Sequence, residues 1–310
     1  MDRWPTHPVN VIVPFPAGGS SALLAKQLAQ PFLEHTKLPL RLHYRSGNAG
    51  VTGAAYAASL PPDGQHLLMG GSFLTAARAL HSDDTFDLLE DLTPLALVAQ
   101  VPSVLVINTA RLRVRGAAEW MSELARKPTQ YRMATAGPGS TSHVAAEIAR
   151  VQARVGFESV HFRGAGPALN DVLMGSVDMM LDGVVSCLPH IQAGRLKPLM
   201  VTGAQRIAAL PDVPTAAEVG LTELSTYVPW YGLFAPKDLP ADRTATVLKA
   251  LRKVGTDAQL QANLQHAGVQ WGGKDGEDFR RMVQQETLDW AQRIRSLGLQ
   301  GLLKGDAEEG

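Results

Sequence analysis

The 310 residues carry 29 Lys plus Arg against 29 Asp plus Glu, and 45% of them are hydrophobic. That balance excludes a disordered chain and argues against a nucleic-acid binder, which normally shows a basic excess. No run of about 18 apolar residues is present, so no membrane span is expected, and the single Cys187 excludes an internal disulfide framework and a multi-cysteine metal site.

The length is about twice that of a typical domain and predicts two. Val9 to Val13 reads as a first strand, near-continuously apolar and buried on both faces. Pro14 to Gly19 stops it, and Ser20 or Ser21 is placed to cap a helix carrying Leu23, Leu24, Leu28 and Phe32. Leu40 to Tyr44 is a second strand, Ala54 to Ser59 a short helix, Pro61 to Gly64 a turn, and His66 to Met69 a third strand ending at Gly70-Gly71-Ser72. Strand and helix then keep alternating, which predicts parallel sheets covered by helices, the α/β class.

A second α/β series follows the strand Val104 to Ile107. Its strands are expected at Arg132 to Thr135, Val160 to Phe162, Met179 to Leu181 and Leu199 to Thr202, with helices starting near Ser140, Gly166 and Ser186. Tyr227 to Phe234 is a further apolar strand. Helices then span Ala241 to Val254, Ala258 to Leu264 and Glu277 to Leu297. The strands near 104 and 230 read as crossings between two lobes, with residues 1–104 and 231–310 forming lobe 1 and 105–230 forming lobe 2. The polar tail Gly305 to Gly310 is expected to fray.

In parallel α/β sheets, ligands bind at the loops leaving the carboxyl ends of strands. Four such loops here share one composition. They are Pro16-Ala17-Gly18-Gly19-Ser20-Ser21, Gly70-Gly71-Ser72, Ala136 to His143 (with Gly139, Ser140, Thr141 and Ser142), and Arg163-Gly164-Ala165-Gly166-Pro167. Helix N-termini attract anions through exposed N–H groups and the helix dipole. Hydroxyls add donors that rotate to suit. For any single loop, capping is the ordinary explanation; four at equivalent places point to a site for a carboxylate or phosphate. No Gly-Lys-Ser/Thr follows the first loop, and no strand-linked G-x-G-x-x-G exists, so neither a P-loop nor a dinucleotide fold is indicated. Ser142 and His143 are neighbours on a helix and do not face each other, which makes them a poor nucleophile–base pair. The nine histidines form no H-E-x-x-H, and neither metal nor cofactor is expected. Arg163 suits a ligand carboxylate. Asp182 is open to capping, to orienting a loop or to accepting from a ligand. Phe15, Phe162 and Tyr231 are candidate walls of a cleft.

Seven motifs in order carry a resemblance. VPFPAGGSSALLA (Val13 to Ala25), YRSGNAGVTGA (Tyr44 to Ala54), PDGQHLL (Pro62 to Leu68), AGPGSTSHVA (Ala136 to Ala145), FRGAGPAL (Phe162 to Leu169), LPHIQAGRLKPL (Leu188 to Leu199) and LPDVPTAAEVG (Leu210 to Gly220) resemble the Bug family. These are the TctC-like substrate-binding proteins of tripartite tricarboxylate transporters, and the resemblance runs from Trp4 to Gly298. It implies a type II periplasmic-binding-protein fold, with two α/β lobes, two crossing strands and a central cleft. It also implies a monomeric receptor, not an enzyme, that captures a small organic acid and passes it to membrane permease subunits. Neither nucleic acid nor membrane insertion is involved. The binding loops carried over are Phe15 to Ser21, Gly71 with Ser72 and Phe73, Gly139 to His143, Arg163 with Gly164, and Asp182.

The chain departs from the family where Ala22 replaces a common Asp, which disfavours amino-acid ligands. Gly183 replaces an Asn, Phe162 a Tyr, and Pro138 and Ser140 commoner residues. The resemblance implies a periplasmic location; the N-terminus reads as lacking an export signal, which leaves a cytoplasmic location open. Two other functions stay open: a ligand sensor feeding a kinase or regulator, and an enzyme using His143 or Asp182 as base.

Overall fold

The structure, a computed structural model, describes residues 4–80 and 86–299. The expectation for Gly305 to Gly310 lies outside them. The chain divides into two compact units, one of residues 1–17, 21–100 and 230–310, the other of residues 18–20 and 101–229.

In the first unit, β1 (Val9–Val13) leads into α1 (Ser20–Thr36), β2 (Leu40–Tyr44) into α2 (Val51–Ala58), and β3 (His66–Gly71) directly into α3 (Ser72–Leu80). A short α4 (Leu88–Asp91) precedes β4 (Leu92–Gln100). The second unit holds β5 (Ser103–Ile107), α5 (Ala117–Arg126), β6 (Arg132–Thr135), α6 (Thr141–Ala153), β7 (Glu158–His161), α7 (Ala165–Met174), β8 (Met179–Gly183), α8 (Val184–Gln192), β9 (Lys197–Val201) and α9 (Thr222–Thr226). The chain then returns to the first unit as β10 (Trp230–Pro236), α10 (Ala241–Gly255), α11 (Ala258–His266) and α12 (Gly276–Ser296).

Each unit contains one five-stranded sheet, ordered β2-β1-β3-β10-β4 and β7-β6-β8-β5-β9. The expectation of parallel sheets needs correction. β10 runs antiparallel to β3 and β4, and β5 antiparallel to β8 and β9. A parallel pair needs a crossover helix between its strands. β5 and β10 enter their sheets straight from the other unit and so escape that rule. The strands that carry the glycine-serine loops, β1 beside β3 and β6 beside β7 and β8, are parallel.

β4 is a strand that the sequence reading did not name. Its Leu92-Thr93-Pro94-Leu95-Ala96 stretch has poor strand propensity. It is made a strand by pairing along its length with β10. Pro94 is tolerated because β4 is an edge. That edge is partly covered by the Leu97 amide donating to Lys274 and the Gly272 amide donating to Val98.

The first unit's core is aromatic. Phe279 of α12 packs edge-on against Trp230 at 5.4 Å between ring centroids and lies 5.3 Å from Phe234. Gly232 of β10 makes this possible, since a Cβ there would come within 2.3 Å of the Phe279 ring. The second unit's core is aliphatic around the fully buried Trp120.

Candidate ligand-binding loops

The chain leaves β1 through Pro14, the half-buried Phe15 and Pro16, and the exposed Ala17, before α1 starts at Ser20, residues 18–20 being grouped with the second unit. Gly18 is also exposed, whereas Gly19, Ser20 and Ser21 are buried. The Ser20 hydroxyl does not act as the expected cap: its Oγ is buried and makes no hydrogen bond. The same is true of Ser72 Oγ at the start of α3, directly after the buried Gly71. Buried polar atoms nearly always find partners, and one that does not calls for a reason. Here two such hydroxyls stand at the N-termini of helices that follow adjacent parallel strands. The first turn of each helix has N–H groups without intrahelical acceptors and the positive end of a dipole.

Beside these helix ends lies an aromatic cluster. Phe15 meets Phe73 edge-on at 5.0 Å, and Phe73 meets Tyr231 at 6.4 Å. Gly50 has a φ of 96°, and a Cβ there would lie 2.6 Å from the Phe73 ring, so only glycine lets the rings sit here.

In the second unit, the loop after β6 is folded on itself. The Ala136 amide donates to Ser142 Oγ at 2.8 Å, and Ser142 Oγ lies 3.2 Å from Ser140 Oγ. Ser140 is the N-cap of α6 and accepts from the His143 amide at 3.3 Å. The Gly139 amide donates to His143 Nδ1 at 3.0 Å. Because Nδ1 accepts, the ring proton sits on Nε2, which points toward Glu147 Oε1 at 3.9 Å. Burial first, then His161 and Arg150, hold the His143 imidazole down to about 3, so it is neutral. His143 is therefore a scaffold for the loop and is poorly placed as a base. Of the loop's hydroxyls, only that of Thr141, half-buried at the first position of α6, makes no bond inside the loop.

The neighbouring loop is stitched to this one by the Gly164 amide donating to Ala136 at 3.1 Å and the Phe162 amide donating to Thr135 at 3.0 Å. Gly164 is buried, and Arg163 is exposed. Asp182, at the end of β8, is buried and accepts from Ser186 Oγ at 2.6 Å. Burial pushes its carboxyl above the usual carboxylate range, opposed by the Ser186 hydroxyl and the Gly183 amide. Of the three roles open to Asp182, capping is not seen: α8 starts at Val184 without a side-chain cap, and the contact of Asp182 is with the Ser186 hydroxyl in the first turn of that helix. Burial also raises the Cys187 thiol well above its ordinary value. Among the described residues, no group of three His, Cys, Asp or Glu is placed to hold a metal, and no helix is long and apolar enough to cross a membrane.

The sequence reading missed Thr75, Trp230 and Glu286. Thr75 and Trp230 are buried and converge on the half-buried Glu286. A readable signal existed: Phe279, Val283, Glu286, Trp290 and Ile294 share one helical face, which sets a carboxylate in an otherwise apolar stripe.

Residues 23–299 match the model of the tripartite tricarboxylate transporter family receptor. The chain belongs to that family. Its relatives include the protein BugT of Bordetella pertussis, 32% identical over 76% of this chain and 72% of BugT. Three solved structures superpose closely on this family member. Rpa4515 of R. palustris with adipate has a TM-score of 0.90 at 28% identity, covering 95% of this chain and 98% of that one. The periplasmic binding protein BugD has 0.91 at 25%, covering 96% and 99%. MatC from Rhodopseudomonas palustris with bound malate has 0.88 at 27%, covering 94% and 100%. The receptor family to which the chain belongs is thus one of solute-binding proteins, and the fold is the periplasmic-binding-protein fold with two α/β lobes.

Proposed function

We propose that this chain is an extracytoplasmic receptor that captures a small organic acid at its helix N-termini and passes it to the permease subunits of a tripartite tricarboxylate transporter. The observation that carries the ligand class is the pair of buried, unpartnered hydroxyls, Ser20 Oγ and Ser72 Oγ, at two helix starts. A carboxylate offers these donors the acceptor they lack, and the dipoles favour its charge. The adipate and malate held by two structural relatives support the same class. Ala22, fully buried on α1, presents no carboxylate to an ammonium group, so the ligand is an acid without an amino group. The rings of Phe15, Phe73 and Tyr231 suit the carbon skeleton of such an acid.

A thermal-shift panel of mono-, di- and tricarboxylates, aromatic acids and amino acids on refolded, ligand-free protein tests the reading. A ligand at a hundred times its dissociation constant adds about 2.7 kcal/mol, a shift of several degrees. Selective shifts by acids without an amino group are expected. Calorimetry with the best acid should then show Ser72→Ala and Thr141→Val each weakening binding by about 1 kcal/mol, one net hydrogen bond. A panel in which no acid shifts the melt, or in which only amino acids do, overturns the reading.

A further inference from the structure

Glu286 lies on α12 among buried side chains, where its carboxyl takes three hydrogen bonds. Its Oε1 meets Thr75 Oγ1 at 3.1 Å and Trp290 Nε1 at 3.2 Å, and its Oε2 accepts from Trp230 Nε1. Thr75, Trp230 and Trp290 are each at most 2% exposed. Thr75 Oγ1 is also 2.8 Å from the backbone carbonyl of Ser72. Trp230 is the residue by which the chain re-enters the first unit, and Ser72 carries one of the two unpartnered hydroxyls.

A hydroxyl has one proton to give. If Glu286 is ionised, its carboxylate and the Ser72 carbonyl compete for the Thr75 proton. If Glu286 carries a proton on Oε1, it donates to Thr75, and Thr75 donates to Ser72. Oε1 still accepts from Trp290 and Oε2 from Trp230. Only the acid form satisfies all four contacts at once.

We propose that Glu286 is a positioning residue for the ligand-binding end of α3, acting through the Thr75 hydroxyl on the Ser72 turn, with Trp230 and Trp290 holding its carboxyl in place. The inference deepens the receptor reading and rests on it. Burial pushes this carboxyl up to about 6 against the pull of its three hydrogen bonds and of Arg293, so the proton-bearing form exists in mildly acid solution. On its own helix, Asp289 and Arg293 follow Glu286 by three and seven residues, and Arg280 and Arg281 precede it. β4 and β10 carry no charged residue, Tyr231 is the titratable residue of β10, and Arg78 is the one charged residue in the sequence of α3. In the acid form the Ser72 turn is fixed and no negative charge stands behind a site that takes an anion. Both effects favour the ligand.

The test is calorimetry with adipate and malate at pH 5, 6 and 7.5 on the wild type, Glu286→Gln and Thr75→Val, alongside amide hydrogen exchange of α3 in the ligand-free proteins, corrected for intrinsic rates. Using the ratio of wild type to Glu286→Gln removes the acids' own titration. Wild-type affinity relative to Glu286→Gln should fall about three- to tenfold as pH rises from 5 to 7.5, following the linkage between binding and the carboxyl's proton. Protection of the hydrogen-bonded amides of α3 that follow its first turn should fall over the same range in the wild type only. Thr75→Val, which removes the relay hydroxyl at nearly constant shape, should lose most of the affinity change. Equal pH dependence in wild type and Glu286→Gln, or full dependence retained in Thr75→Val, overturns the proposal. If neither acid binds any of the three proteins, the receptor reading fails for these acids. The α3 exchange then decides Glu286 alone: a pH-dependent loss of protection confined to the wild type supports it, and identical profiles overturn it.

Discussion

The loop around His143 turns most of its polar groups on itself. Ala136 N–H, Ser140 Oγ, Ser142 Oγ and Gly139 N–H are all engaged within it. The residue types of such a loop are legible in a sequence, because Gly, Ser and Thr mark helix starts. Which hydroxyl is used internally and which is left over is set by tertiary packing, so Ser20 reads as a cap and is found without a partner. His143 also has a measurable consequence. Its folded-state value near 3 lies below the unfolded value of 6.5, so the folded state binds fewer protons than the unfolded one. Its contribution to stability is present above about pH 6.5 and is lost as pH falls toward 3, with a slope of roughly 1.4 kcal/mol per unit for one proton. Urea unfolding between pH 7 and 4 should show this slope, and His143→Gln, neutral throughout, should flatten it while lowering stability at pH 7. An unchanged slope in that variant would mean that His143 is not the group responsible.

At the level of elements, two strands were legible residue by residue: β1, a near-continuous apolar run, lies at Val9–Val13, and β2, more polar and more exposed, at Leu40–Tyr44, as expected. β4 was not, since its strand character comes from its partner β10 and from being an edge. The antiparallel direction of β5 and β10 was equally hidden, because direction depends on the path by which the chain arrives. The seat of α12 on the sheet depends on a missing side chain. In Gly232→Ala the new Cβ would fall within 2.3 Å of Phe279, and overpacking of this kind costs about 1–3 kcal/mol. Urea melts should register that loss, and adding Phe279→Leu should recover part of it. A wild-type midpoint for the single variant would mean that α12 shifts without penalty.

At the scale of the whole molecule, the two units carry opposite acid responses. Glu286, in the first unit, has a folded-state value raised from 4.5 to about 6. Its contribution is fully present below about 4.5 and lost as pH rises through 6, amounting to about 2 kcal/mol. His143, in the second, works the other way. Acidifying from pH 6 to 4.5 is therefore expected to strengthen the first unit while weakening the second, so a single melting temperature will hide two changes of opposite sign. The units also differ in continuity. All five strands of the second sheet fall between residues 103 and 201. A fragment of residues 101–229 is expected to melt cooperatively with a native-like circular dichroism spectrum. A fragment that stays unfolded would show that the second sheet depends on residues beyond its own segment.

β10 lies between β3 and β4 in its sheet, although it follows them by more than a hundred residues of chain. During synthesis, the first hundred residues emerge able to pair β1, β2 and β3, but β3 and β4 keep facing edges that nothing nearby can fill. Those edges stay open while the whole second unit is made, and a chaperone that holds exposed strands has that interval in which to act. Only when residue 236 is free can the gap close, and α12, which covers it, arrives later still. A polypeptide delivered across a membrane before folding would gain time from this arrangement: its first hundred residues are barred from completing their sheet until most of the chain has been translated.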